Sequence, residues 1–267
     1  MRRFNFILIT LDSCRWDSFE LADTPFFDST GFFKKAHSQA TYTMPSHLSM
    51  FSGIFPHVED RIPYYNRFEK NLLWLVEPRK NIEALIDFEN CPKDMIEGFG
   101  QMGMDTVGVG AMQWFKSPIL TEGFQQFNYT GIHARQQIEY LMKSITNDKA
   151  FFHMLNLGET HDPYEFGGQV SHSNEARYKM RNQVDVGFDQ ASFDKQIESV
   201  HFLDGVVEEY LSFVARTSEF PSIVVICSDH GECFGEDGMY GHGFYHPKIM
   251  EVPLAIFKIE NGKIKSI

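Results

Sequence analysis

The chain has 267 residues and a formal net charge of −12, which excludes broad, nonspecific binding to a nucleic-acid phosphate backbone. Hydrophobic residues at 43% and charged residues at 22% exclude a disordered chain. One small anionic substrate stays compatible with the charge, because a bound cation would reverse the local field.

Residues 4–11, FNFILITL, are apolar and β-branched, as in a buried parallel strand. Arg2 and Arg3 precede a run that reaches Asp12 too soon for a secretory leader or a bilayer span. The sequence therefore predicts no transmembrane segment. Further strands are expected at 104–110, 151–157, 222–228 and 252–258, each short and bounded by turn or polar residues. Pro45 predicts a helix beginning just after Thr43. Weaker helical patterns cover 93–102 and 132–145. A strong one joins Phe193, Ile197, Val200, Leu203, Val207, Leu211 and Val214 in one apolar stripe. Residues 165–192 are polar and aperiodic and read as a surface loop. Strands alternating with helices predict an α/β fold, a three-layer α/β/α sandwich over a largely parallel mixed sheet, as a single domain over 1–267. The cysteines, at 14, 91, 227 and 233, contain no CxxC pair, so reduced thiols and a cytoplasmic location are expected.

Three separated segments carry chemistry. The first is Leu11-Asp12-Ser13-Cys14-Arg15. The second runs from Thr41 through Thr43 and Pro45 to His47. The third is Ser228-Asp229-His230-Gly231-Glu232, continuing to Gly241-His242-Gly243. Asp12 and Asp229 both follow apolar strands, and ligands of open α/β sheets bind at that edge. Carboxylates and an imidazole suit a divalent ion. A hydroxyl such as Thr43 completes the set, and a metal beside it would make it a nucleophile near neutral pH. A helix starting there would turn its amides toward anionic oxygens. Each piece alone has a plainer reading: a structural Asp-His pair, a helix start at Thr43, a cap at Asp12. Arg15 is divided between a phosphate contact and a salt bridge.

Together the segments resemble the alkaline phosphatase/sulfatase superfamily. SDHGECFGEDGMYGHG is similar to the metal motif of phosphoethanolamine transferases, ATYTMPSHLSMFSG to the nucleophile segment, GETHDPY to a His-containing segment, and PKIMEVPLAIF to a strand after the active site. The resemblance implies a metal-dependent phosphoryl-ester hydrolase or transferase acting on a small anionic phosphate ester. Thr43 would be the nucleophile, and Asp12, Thr43, Asp229 and His230 the main metal site. His161 and His242, with Arg15 and His47, would hold a second metal or the substrate. Zinc or manganese is expected at one firm site with a weaker second, and magnesium and calcium stay open. Sulfatases carry a Cys or Ser converted to formylglycine at the nucleophile position, and an Arg where His47 stands. Thr43 therefore selects phosphorus over sulfur. A sulfuric ester hydrolase and a non-catalytic binding module are the alternatives.

Overall fold

A computed structural model describes residues 3–53, 94–164, 166 and 187–267. The chain opens with β1 (Asn5–Leu11), α1 (Trp16–Leu21), α2 (Pro25–Thr30), β2 (Lys34–His37) and α3 (Thr43–Ser52). It continues through α4 (Met95–Gln101), β3 (Asp105–Gly110), α5 (Pro118–Thr121), β4 (Gln126–Tyr129), α6 (Ala134–Ser144) and β5 (Phe151–Leu157). The last part holds α7 (Gln190–Thr217), β6 (Ser222–Cys227), a small hairpin of β7 (Cys233–Phe234) and β8 (Tyr240–Gly241), α8 (Pro247–Met250), β9 (Glu251–Glu260) and β10 (Lys263–Lys265).

Eight strands form one mixed sheet in the order β10-β9-β6-β1-β5-β3-β4, with β2 also pairing with β9. The strands from β6 to β4 are parallel, while β9 runs against β6, β2 and β10. β1 is central and buried on both faces, so its alternation divides two cores. Ile7, Ile9 and Leu11 join α7 residues such as Val200, Leu203 and Leu211 on one face. Leu8 packs with Leu48, Phe51, Ile96, Phe152 and Met154 on the other. Phenylalanines line both cores, and in the second the rings of Phe6, Phe99, Phe152, Phe124, Phe127 and Phe115 form a chain of contacts. The result is the expected α/β sandwich.

α7 begins at Gln190, earlier than its apolar stripe indicates, because Asp189 caps it: Oδ1 accepts from the Ser192 amide at 3.1 Å. Residues 190–192 therefore belong to the helix and not to the expected loop. Most of the rest of 165–192 lies outside the described residues.

Candidate metal centre and active site

β1 and β6 are adjacent and parallel, so the residues after them emerge side by side at the carboxyl edge of the sheet. Asp12 follows β1, and Asp229 and His230 lie just beyond β6. All three are fully buried, with one ligand-type atom each within 4.8 Å of the others. His230 Nε2 lies 3.9 Å from Asp12 Oδ1 and 3.6 Å from Asp229 Oδ2. Thr43 arrives as the first residue of α3. Its Oγ1 is 3.4 Å from Asp12 Oδ2 and 3.3 Å from His230 Nε2. Gly231 gives the strand exit its shape, because a Cβ there would run into the Lys248 carbonyl.

The donor set fits a divalent cation. Asp229 Oδ1 accepts from the Ser13 and His230 amides at 3.1 and 3.0 Å, whereas Oδ2 is buried without a hydrogen-bond partner. An orphaned carboxylate oxygen is costly unless something positive meets it. Burial, and then the charge of Asp12, push the Asp229 carboxyl well above its ordinary range. Burial alone would raise Asp12 too, but the His161 and His230 rings and the Asn156 amide hold it below its ordinary value. His230 faces the Gly231 carbonyl through Nδ1 at 2.9 Å, which puts the proton on Nδ1 and the free lone pair on Nε2. Burial, with His242 beside it, lowers its pKa well below the usual value and keeps the ring neutral. Two carboxylates, a neutral imidazole and a hydroxyl make a mixed oxygen/nitrogen donor set of the kind divalent ions take.

The β7–β8 hairpin explains the spacing of the last motif. It pairs Cys233 with Gly241, so Glu232 and His242 face each other just outside the paired residues. Glu232 Oε2 accepts from His242 Nδ1 at 3.0 Å. The Gly243 amide donates to Thr41 O at 2.8 Å, tying this loop to the segment that carries Thr43. The His242 ring centroid lies 4.4 Å from that of His230 and 5.3 Å from that of His161. His161 and His242 are thus brought to the open side of the cluster.

Arg15 and His47 are not. The Arg15 guanidinium is 2% exposed and is bound to Asp17 and Glu236 at 2.6 Å each, between the Phe193 and Phe234 rings. Of its two readings, the structure shows the salt bridge. His47 is fully buried, its Nδ1 donating to Thr43 O at 2.8 Å and its Nε2 bonded to Thr10 Oγ1 at 3.0 Å. With both nitrogens engaged, it forms the back wall of the site. Sequence reasoning did not anticipate what Asn156, Ser46 and Thr160 do. Asn156 Nδ2 donates to Asp12 Oδ2 at 2.9 Å, and Thr160 Oγ1 to Asp12 O at 2.7 Å. Ser46 Oγ donates to Asp229 O. Asn156 occupies an inward register position of β5, a signal visible only once the strand pairing is known.

Several solved structures share the fold. The C-terminal periplasmic domain of phosphoethanolamine transferase EptC from Campylobacter jejuni has a TM-score of 0.65 and 12% identity, over 97% of this chain and 80% of that one. The corresponding periplasmic domain from Escherichia coli, solved as a complex with Zn, gives 0.63 and 12%, over 98% and 74%. Phosphoglycerol transferase GacH from Streptococcus pyogenes, in complex with sn-glycerol-1-phosphate, gives 0.56 and 10%, over 99% and 70%. No curated protein sequence matches the chain.

The expected cytoplasmic location is overturned, because the structural neighbours EptC of Campylobacter jejuni and of Escherichia coli are periplasmic domains. The cysteines misled because Cys14, Cys227 and Cys233 are buried free thiols, and burial pushes Cys227 up to about 12. Thiols so shielded persist in either redox compartment. Among the described residues no helix is long and apolar enough to cross a membrane. The sulfatase family model matches residues 4–258. With that match spanning Asp12 as well as Asp229 and His230, the chain belongs to the sulfatase family.

Proposed function

We propose that the chain transfers or hydrolyses a phosphate ester through a covalent phospho-Thr43 intermediate, with Asp12, Thr43, Asp229 and His230 holding a zinc or manganese ion. The observation that carries this reading is the position of Thr43 Oγ1, within 3.4 Å of both Asp12 and His230 at the first turn of a ten-residue helix. The cation would supply positive charge against the attacking hydroxyl and the developing charge on phosphorus. The amino end of α3 faces the same position, and its residue before Thr43, Tyr42, makes no side-chain capping bond. Its amides are therefore placed to receive the non-bridging oxygens. His161 and His242, at the open side, bind those oxygens or a weaker second cation. The Thr43 hydroxyl gives up its proton and Oγ1 bonds to phosphorus as the leaving oxygen departs and takes up a proton; water or an alcohol then loses a proton and takes the phosphoryl group, and Thr43 regains its proton.

The choice of phosphorus over sulfur rests on Thr43 itself. Oxidation of a secondary alcohol gives a ketone, so Thr43 has no route to the aldehyde of formylglycine. Phosphoethanolamine- and phosphoglycerol-bearing esters are the natural first donors to assay, since the structural neighbours are named for those transfers. Purified protein should be supplied with Zn²⁺ or Mn²⁺ and given phosphate mono- and diesters, with and without alcohol acceptors, against matched aryl sulfates. Phosphorus esters should turn over at least about 100-fold faster, a difference of about 2.7 kcal/mol in barrier. Faster aryl sulfate cleavage would overturn the reading.

His242 provides a narrower check. It leaves a hairpin rather than the core, so His242→Ala should keep a near-native melting temperature while kcat/KM falls at least roughly tenfold, about 1.4 kcal/mol. A large fall in melting temperature with normal specific activity would show a structural role instead.

A further inference from the structure

Gln196 is fully buried on α7, and its side-chain hydrogen bonds go to backbone groups of two loops beside the site. Its Nε2 donates to Ser13 O and to Thr160 O, both at 2.9 Å, and its Oε1 accepts from the Arg15 amide at 3.4 Å. Ser13 directly follows Asp12, and Thr160 directly precedes His161. Ser13 has φ 61, in the left-handed region that a residue with a Cβ avoids. That conformation is gripped from both sides. The Ser13 N–H donates to Asp229 Oδ1 at 3.1 Å, and the Ser13 carbonyl receives Gln196. Thr160 closes the circuit by donating to Asp12 O at 2.7 Å.

We propose that Gln196 is a positioning residue that clamps the Asp12 loop to the His161 loop and so sets the geometry in which the two meet one substrate. Its catalytic consequence rests on the phosphoryl-transfer reading; the clamp itself does not. The side chain does no chemistry. Two donors and one acceptor are matched to two carbonyls and one amide, all in places where water has no access. Removing the amide leaves those groups unpaired and lets Ser13 relax toward an ordinary conformation. A methionine of similar length would fill the space without replacing any of the bonds.

The test is Gln196→Met, read first without turnover. Amide hydrogen exchange should quicken at least about tenfold in residues 13–15 and 160–162, while β1 and β5 keep their protection. In the assay above, kcat should fall at least about tenfold, as expected for a misplaced constellation. Combining Gln196→Met with His161→Ala should then cost no more than the larger single loss, because both changes remove one arrangement. Unchanged exchange in both loops, or fully additive losses, would overturn the clamp. Should Gln196→Met fail to fold, Gln196→Glu serves the same measurements, since it keeps the shape and an acceptor but has at most one donor for the two carbonyls. If the wild-type chain turns over no phosphate ester, the function fails, and the exchange data alone decide the clamp.

Discussion

Asp229→Asn should leave purification with almost none of the metal that the wild-type chain binds, yet melt no lower than the metal-free wild type. The two halves of this result have one cause. Asp229 Oδ1 carries the structural bonds to the Ser13 and His230 amides, which an asparagine carbonyl oxygen can keep. Oδ2 is the orphan aimed into the cluster, and an amide nitrogen there cannot act as a ligand. Burial, and then the charge of Asp12, push the Asp229 carboxyl well above its ordinary range, so the metal-free protein favours its neutral form. Asparagine is a neutral group of the same shape, so the substitution adds no buried charge. Adding Zn²⁺ or Mn²⁺ should raise the melting temperature of the wild type and leave Asp229→Asn unmoved. At about 100 times the dissociation constant, linkage adds about 2.7 kcal/mol to the wild type. Metal analysis by mass spectrometry checks the first half, and undiminished occupancy would remove Asp229 from the ligand set.

Thr43→Ala should fold, retain metal through Asp12, Asp229 and His230, and lose at least about a thousandfold in turnover, about 4 kcal/mol of barrier. Thr43→Ser should recover a measurable fraction, because the hydroxyl returns without the methyl that restricts its rotamer. The rival role is that of a helix cap, where loss costs about 1 kcal/mol of stability and leaves the chemistry alone. The structure separates the two roles by position. Thr43 lies inside the first turn of α3, with Tyr42 at the cap, and its hydroxyl reaches Asp12 and His230. Trapping with a slow phosphate ester and peptide mass analysis reads the outcome directly. A fully active Thr43→Ala, with no phosphate on wild-type Thr43, would remove the nucleophile.

The parts legible in the sequence are those that depend on local pattern. The strands at 4–11, 151–157 and 222–228 were visible because each is an apolar run with a sharp polar end, and those ends hold Asp12 and Asp229. The reading of Thr43, His161 and His242 leaned on motif resemblance, since no periodicity marks them. The supporting side chains stayed hidden for a physical reason. Asn156 reaches Asp12, and Gln196 reaches Ser13, across more than a hundred residues, and even their nearer partners Ala111 and Thr160 are tens of residues away. Such partners become neighbours only through sheet order. The sequence also left Arg15 balanced between two roles, because its partner Glu236 is brought near by the hairpin and not by spacing.

The placement of β1 also bears on how the protein is made. This strand lies at the middle of the sheet, but its partners β5 and β6 begin only at Phe151 and Ser222. A ribosome adding roughly 5–20 residues per second leaves β1 without its β6 partner for on the order of 10–40 s. Both edges of this apolar strand stay open until β5 is made and one stays open until β6, so through that interval it is available to the wrong neighbour and the nascent chain is a natural client for a holding chaperone. On the proposed ligand set a cation would not help during this stage. The candidate ligands are split between Asp12 and the pair Asp229–His230, and no nascent chain shorter than that carries all three. Metal loading would then follow synthesis of the last ligand, and a metal-dependent activity would track metal supply independently of how much chain is translated.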